Sequence, residues 1–187
     1  MIMPESAPPP PELAGLSLAE IAQAAAERRL PPVDQWNPPH CGDSGMRIAR
    51  DGTWYHEGAP IRRPAMVRLF AGLLRREADG RHVLVTPVEK LDIAVEDAPF
   101  VAVEARSEGA GKARRIAFRL NTDEPVVAGP EHRLHLVEGR PYLMVRAGLE
   151  AAVARPVYYE LAELALEEGA NPPGLWSDGV FFPLASA

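Results

Sequence analysis

MRIARDGTWYHEGAPIRRPAMVRLFAGLL, residues 46–74, is the stretch that decides the fold class. Apolar and polar residues alternate on either side of Asp51-Gly52, an acidic-Gly pair that supplies the positive φ a tight hairpin turn needs. The alternation turns Ile48 and Trp54 inward. Pro64 then stands where a first helical turn tolerates a missing N–H, and Met66, Val67, Phe70, Leu73 and Leu74 recur at helical spacing. HVLVT at His82–Thr86 reads as the strand that follows. The unit is therefore β-β-α-β.

The second half replays this order. LHLVEGRPYLMVRAG (134–148) is again a hairpin, here around Glu138-Gly139, and Arg155-Pro156 opens a helix with Val157, Tyr158, Leu161 and Ala165 on its buried face. Arg63-Pro64 lies over Arg155-Pro156 without a gap, and GLWSDGVFFPL (174–184) supplies a closing strand as HVLVTP does earlier. Between them, Leu91–Glu96, Phe100–Ala105 and Arg115–Asn121 alternate as strands, the last two joined by the Gly-rich SEGAGKA loop at 107–113. Upstream, Ser17 and Glu20 form a capping box for a short helix carrying Leu18, Ile21, Ala22 and Ala25, which Pro31-Pro32 stops. VDQWNPPHCGDSG (33–45) reads as a loop pinned by a buried Trp36. The expected fold is α+β: a disordered Pro-rich tail at 1–16, the short N-terminal helix and a first β-rich unit over 17–106, and a duplicate unit over 107–187.

Composition narrows the function classes. With 47% hydrophobic and 25% charged residues, the 187-residue chain has the make-up of a globular protein. A net charge of -6 excludes a dedicated nucleic-acid binder, which needs a positive footprint along the phosphates. No apolar run approaches the ~18 residues of a membrane span, and MIMPESAPPPP lacks the basic start and apolar core of a signal peptide. A cytoplasmic location is the expectation. The single cysteine, Cys41, rules out an intrachain disulfide.

Little recognisable catalytic machinery is present: no phosphate-binding P-loop, no Gly-x-Gly-x-x-Gly turn, no His-Glu-x-x-His. Gly42-Asp43-Ser44-Gly45 resembles a serine-protease nucleophile segment, but the histidine motif and chain length of that chemistry are missing, so it reads as a turn. His40, Cys41 and Asp43, with His56 or His82, have poor spacing for a metal, because adjacent ligands rarely reach one ion together. No metal and no cofactor are expected. The more informative groups are charges that interrupt structured stretches: Arg47 and Arg50 on the hairpin, Arg62 and Arg63 before the helix, and Glu89, Lys90, Glu96 and Asp97 at strand ends. They form either a functional cleft or ion pairs tying helix to sheet.

Taken together, WNPPHCGD (36–43), MRIARDGTWY (46–55), LVTPVEK (84–90), VEDAPF (95–100) and LWSDGVFFPL (175–184) resemble a proteobacterial family known as domain of unknown function 1285. The resemblance covers about Leu30 to Leu184. It implies a core made by duplication, a C-terminal half loosely like a pleckstrin-homology domain, a nucleotide-type ligand between the halves, and a signalling role. The positions that match the family pattern are Trp36, Asn37, Pro38, Gly42, Asp43, Arg47, Asp51, Trp54, Thr86, Pro87, Glu89, Lys90, Glu96 and Asp97.

The sequence therefore predicts a non-catalytic binding or sensor module that clasps a small anion between its units. Its site is formed where the loop Trp36–Asp43 meets the TPVEK strand end and the Arg62-Arg63 helix start, with Trp36, Asn37, Asp43, Arg47, Arg62, Arg63, Thr86, Glu89, Lys90, Glu96 and Asp97 as ligand contacts. An anion suits arginine forks and a helix N-terminus. The alternatives are an enzyme using Glu89, Glu96 or Asp97 as general base, and a scaffold whose exposed sheet edges take a protein partner.

Overall fold

Strand pairing organises the molecule into two six-stranded sheets built on one plan. A computed structural model of the chain describes residues 30–185; the expected tail at 1–16 and the capped helix begun at Ser17 lie outside the described residues. The first sheet contains β1 (His40–Ile48), β2 (Trp54–His56), β3 (Ala59–Pro60), β4 (Leu74–Arg76), β5 (His82–Val85) and β6 (Glu89–Val95), in the spatial order β3-β2-β1-β6-β5-β4. The second contains β7 (Phe100–Glu108), β8 (Arg115–Leu120), β9 (Pro125–Val127), β10 (Leu134–Val137), β11 (Arg140–Arg146) and β12 (Leu149–Val153), in the order β10-β11-β12-β7-β8-β9. Each sheet is two three-stranded antiparallel meanders joined along one central parallel pair, β1 with β6 and β7 with β12. The two units are duplicates.

The correspondence differs from the one expected. β1 matches β7 and β4 matches β10, so the hairpin at Asp51-Gly52 is the counterpart of the β7–β8 hairpin, not of Glu138-Gly139. Nor do the helices correspond. Helix α1 (Pro64–Gly72) links the two meanders of the first unit, whereas α2 (Arg155–Glu168) follows the last strand of the second. The β-β-α-β repeat is corrected to a paired meander, with one helix inserted in one copy and one appended to the other. Proline at a first helical turn is common enough to align unrelated helices, and here it did.

Other boundaries shift for similar reasons. GLWSDGVFFPL folds on itself as a two-stranded sheet, β13 (Gly174–Ser177) and β14 (Val180–Pro183), rather than closing either large sheet. Its turn, Asp178-Gly179, has φ of 47° and 81°, the doubly positive pair that two-residue hairpins require. The strand β1 begins at His40, inside the segment expected to be loop, because pairing with β6 overrides its turn-rich composition. The change of sheet falls between Val95 and Phe100, earlier than the expected 106/107 boundary, since Phe100–Glu108 pairs only within the second sheet.

The hairpin expected at Asp51-Gly52 is present, with Ile48 opposite Trp54 and both fully buried. Helix α1 ends at Gly72, so Leu73 and Leu74 leave it, and Met66 points outward instead of joining the stripe. Ile48, Trp54, Ala71 and Leu74 of the first unit share one apolar cluster with Phe100, Phe118, Leu143 and Leu161 of the second. The units consequently rest on a common core. None of the helices among the described residues is long and apolar enough to cross a membrane.

Candidate functional site: a cleft between the units

Ten of the eleven residues expected to form one site fall toward two ends of the first sheet, with Asp43 between them opposite Asp92. At one end, β1 enters beside the start of β6, with His40 opposite Glu89 and Cys41 opposite Lys90. Here the half-buried Trp36, the exposed Asn37, Thr86, Glu89 and Lys90 come together. Most of them are structural. Thr86 Oγ1 accepts from the amides of Val88 and Glu89 and closes the TPVE turn. Lys90 lies 3.1 Å from Glu77, which also takes Arg75 at 2.9 Å, and Arg75 in turn donates to the carbonyls of Val33 and Trp36. The Arg75 hydrogen bond holds the Glu77 carboxyl below its usual range. Asp43 accepts from the Gly45 amide at a bulge in β1, and Ser44 Oγ donates to the Asp92 carbonyl, so the protease-like GDSG segment is backbone architecture.

At the other end lie Arg47, Arg62, Arg63, Glu96 and Asp97. Seven residues of strand separate Glu89 from Glu96, about 23 Å, and α1, whose end meets β5 where the Val85 amide donates to the Leu73 carbonyl, sets its arginine-flanked start about 14 Å of helix from the TPVEK end. The single site that gathers loop 36–43, TPVEK and Arg62-Arg63 is thus corrected: strand length keeps its parts separate. Arg47 Nη1 pairs with Glu96 at 2.5 Å, and the Arg50 amide donates to the other Glu96 oxygen. Asp97, nearly buried, accepts from Arg140 and from the Tyr142 hydroxyl of the second unit, both at 2.7 Å. Burial and then that bond to Asp97 push the Tyr142 hydroxyl above its ordinary pKa. Glu96 thus ties the end of the first sheet to β1 and its turn, and Asp97 ties the first unit to the second.

Arg62 is the exception, for it opens onto a cleft between the units. One wall is the β1–β2 turn at Asp51–Thr53 together with Trp54, Ile61 and the start of α1 at Arg62, Pro64, Val67 and Arg68; the other is the β8–β9 turn at Asn121, Thr122 and Asp123. The cavity measures about 330 Å³, enough for a drug-sized or mononucleotide-sized molecule. Gly52 holds the walls together. Its φ is +90° and its carbonyl accepts from Asn121 Nδ2, while a Cβ there would come within 2.7 Å of that same nitrogen. Asn121 Oδ1 accepts from the Val101 amide, so one side chain staples the two turns.

The polar inventory of the cleft is unbalanced. Trp54 Nε1 and Thr122 Oγ1 are both buried without a hydrogen-bond partner among the described residues, and both residues line the walls. A buried donor left unpaired costs about 1–3 kcal/mol, which folded proteins seldom tolerate without a reason. Arg62 is exposed and forms no ion pair among the described residues, whereas Arg68 leans on Asp123 at 3.4 Å and Asp123 is shared with Arg119 at 3.2 Å. No side chain caps α1, whose first turn begins at Pro64. Asp51 accepts from the Thr53 amide, and that bond holds its carboxyl below the usual range. Among the described residues no three His, Cys, Asp or Glu side chains gather as metal ligands would.

The signatures of DUF1285 cover both units. Its N-terminal domain, a domain of unknown function, matches residues 31–98, and its C-terminal domain, described as a protein of unknown function, matches residues 99–184. The chain belongs to the DUF1285 family. The junction at 98/99 coincides with the change of sheet. Two solved DUF1285 structures are similar: one from Silicibacter pomeroyi DSS-3 at 45% identity and a TM-score of 0.77, covering 89% of this chain and 95% of that one, and one from Shewanella baltica OS155 at 25% and 0.52, covering 67% and 93%. No curated protein matches.

Of the eleven expected contacts, the cleft of this DUF1285 chain is lined by Arg62 alone. Sequence reasoning had placed Trp54 in the core and overlooked Asn121, Thr122 and Asp123. The signal available was a polar Asn-Thr-Asp turn directly after an apolar strand; its neighbour across the cleft depends on how the units dock, which one sequence does not reveal.

Proposed function

We propose that the protein is a non-catalytic ligand-binding module whose two units hold a small anion, nucleotide-like in size and charge, in the cleft between the Asp51–Trp54 turn and Thr122. The observation that carries this reading is the coincidence, on one 330 Å³ cleft, of two buried polar atoms without partners and an arginine without a counter-ion. Arg62 supplies a fork for phosphate or carboxylate oxygens beside an uncapped helix start, and Trp54 Nε1 and Thr122 Oγ1, sealed within the walls, offer a donor and a donor or acceptor once a ligand parts them. Contacts to both units make occupancy sensitive to how the units sit, the property a cytoplasmic signalling sensor requires. The second unit, a strand bundle followed by a C-terminal helix, suits a pleckstrin-homology-like reading. Of Glu89, Glu96 and Asp97, the bases an enzyme would use, the last two already hold guanidinium, amide or phenol partners, which favours binding over catalysis at those two.

The test is a thermal-shift screen of nucleotides, dinucleotides and sugar phosphates. Ligand at ~100 times its Kd adds about 2.7 kcal/mol, a rise of roughly 5–10 °C for a chain this long. The shift should fall by more than half in Arg62→Ala and Thr122→Val. A hit that both variants leave untouched, or no hit at all, defeats the proposal.

A further inference from the structure

Two helix faces turn apolar side chains to solvent, and they carry opposite charge. On α1, Ala65, Met66 and Leu69 occupy adjacent helical positions on the outward side, with Met66 38% and Leu69 54% exposed. No acidic residue occurs in this helix, and Arg62 and Arg63 stand at its start. On α2, Tyr159 and Leu166, two turns apart, are 57% and 68% exposed. Exposed Glu160, Glu163 and Glu167 run along their flank, against a single cation, Arg155, at the helix start. Isolated surface apolar residues need no explanation; two neighbours on α1 beside arginines, and two on α2 beside glutamates, give each helix a small apolar patch with charge of one sign.

We infer that the α1 face of one molecule docks on the α2 face of a second copy of this chain. Charge selects the pairing. Placing α1 on α1 sets arginine against arginine, and α2 on α2 sets glutamate against glutamate, whereas α1 on α2 joins apolar to apolar with arginines beside glutamates. Each face presents few large side chains, so the contact belongs to the small, transient class, with dissociation in the micromolar range or weaker. The inference shares one residue with the ligand proposal, since Arg62 lines the cleft; Arg63 and the apolar contacts Met66, Leu69, Tyr159 and Leu166 lie outside it.

Sedimentation velocity of the full chain from about 10 to about 500 µM, a range chosen for such weak contacts, reads the association directly. Leu69→Asp and Leu166→Asp are surface changes, and unchanged far-UV circular dichroism and Tm establish that each variant is folded. Each variant alone should remain monomeric at concentrations where the wild type associates. An equimolar mixture should regain a one-to-one dimer, since each variant contributes the face the other lacks. A monomeric wild type, association that survives either substitution, or a mixture that stays monomeric overturns the inference; the first of these would assign the α1 face to other parts of this chain or to a different protein.

Discussion

Replacing Arg146 with methionine removes the guanidinium that ties the second unit to helix α1. Arg146 Nη1 donates to both oxygens of Glu124, at 2.6 and 2.8 Å; Nη2 reaches the Ala71 carbonyl at 3.2 Å, and the guanidinium carbon lies 5.2 Å from the centre of the Phe100 ring. Both partners are largely shielded, with side chains 21% and 10% exposed, so Glu124 would be left as a buried, unpaired carboxylate. Breaking one partner of such a pair costs about 3–5 kcal/mol, while the methionine retains most of the packing over Phe100. At about 2–4 °C per kcal/mol for a chain of this length, Tm falls by roughly 6–20 °C. The double variant Glu124→Gln, Arg146→Met removes the stranded charge and should recover at least half of that loss. Urea melts of wild type, both single variants and the double variant complete the cycle. A loss under about 1 kcal/mol for Arg146→Met, or a double variant as unstable as the two single losses summed, refutes the argument that Arg146 and Glu124 form a shielded, coupled pair.

Gly52→Ala forces a Cβ within 2.7 Å of Asn121 Nδ2 at a φ of +90°, so it should destabilise by about 1–3 kcal/mol and abolish any ligand-induced thermal shift together with the staple. His82, whose ring pKa is depressed by burial and then by Arg76, is held neutral in the fold. Its contribution is complete above the unfolded value near 6.5 and is lost as pH falls through that value toward the folded pKa; His82→Gln should flatten the stability profile over that window, measured by urea melts across pH 5–8. Glu77→Gln should lower stability at neutral pH and remove part of the acid limb below about pH 4.5, because a depressed carboxylate stabilises only while ionised. Protein purified without a histidine tag should contain well under one equivalent of zinc by elemental analysis; stoichiometric metal would contradict the reading of His40 and Cys41 as non-ligands.

Local chemistry was legible in this sequence and docking was not. The Asp51-Gly52 hairpin, the inward Ile48 and Trp54, and the start of α1 at Pro64 follow from alternation and turn residues, which act over a few positions. Two related units were legible in the sequence, but the hairpin and helix equivalences that suggested them are not the real ones, whose register depends on the parallel pairs β1 with β6 and β7 with β12. Those pairs join strands about fifty residues apart, and no local pattern encodes a parallel partner. The charged candidates illustrate the same limit. Glu96 and Asp97 read equally as ligand contacts and as structural ties, and only the position of Arg47 within the first unit, and of Arg140 and Tyr142 in the second, decides for ties. Thr122 reads in the sequence only as part of a polar turn after an apolar strand, and the docking of the units is what brings it to the same cleft as Trp54.

The central claim, that the cleft between the units is the ligand site, is tested most directly at the Trp54 indole. The chain has three tryptophans, Trp36, Trp54 and Trp176, and therefore three indole N–H resonances, assignable by single Trp→Phe substitutions. Titrating an anionic hit from the thermal-shift screen into nitrogen-15-labelled protein should move the Trp54 resonance as its buried N–H gains an acceptor, with Trp36 and Trp176 unchanged. A saturable hit that moves Trp36 or Trp176 while Trp54 stays in place would contradict the account.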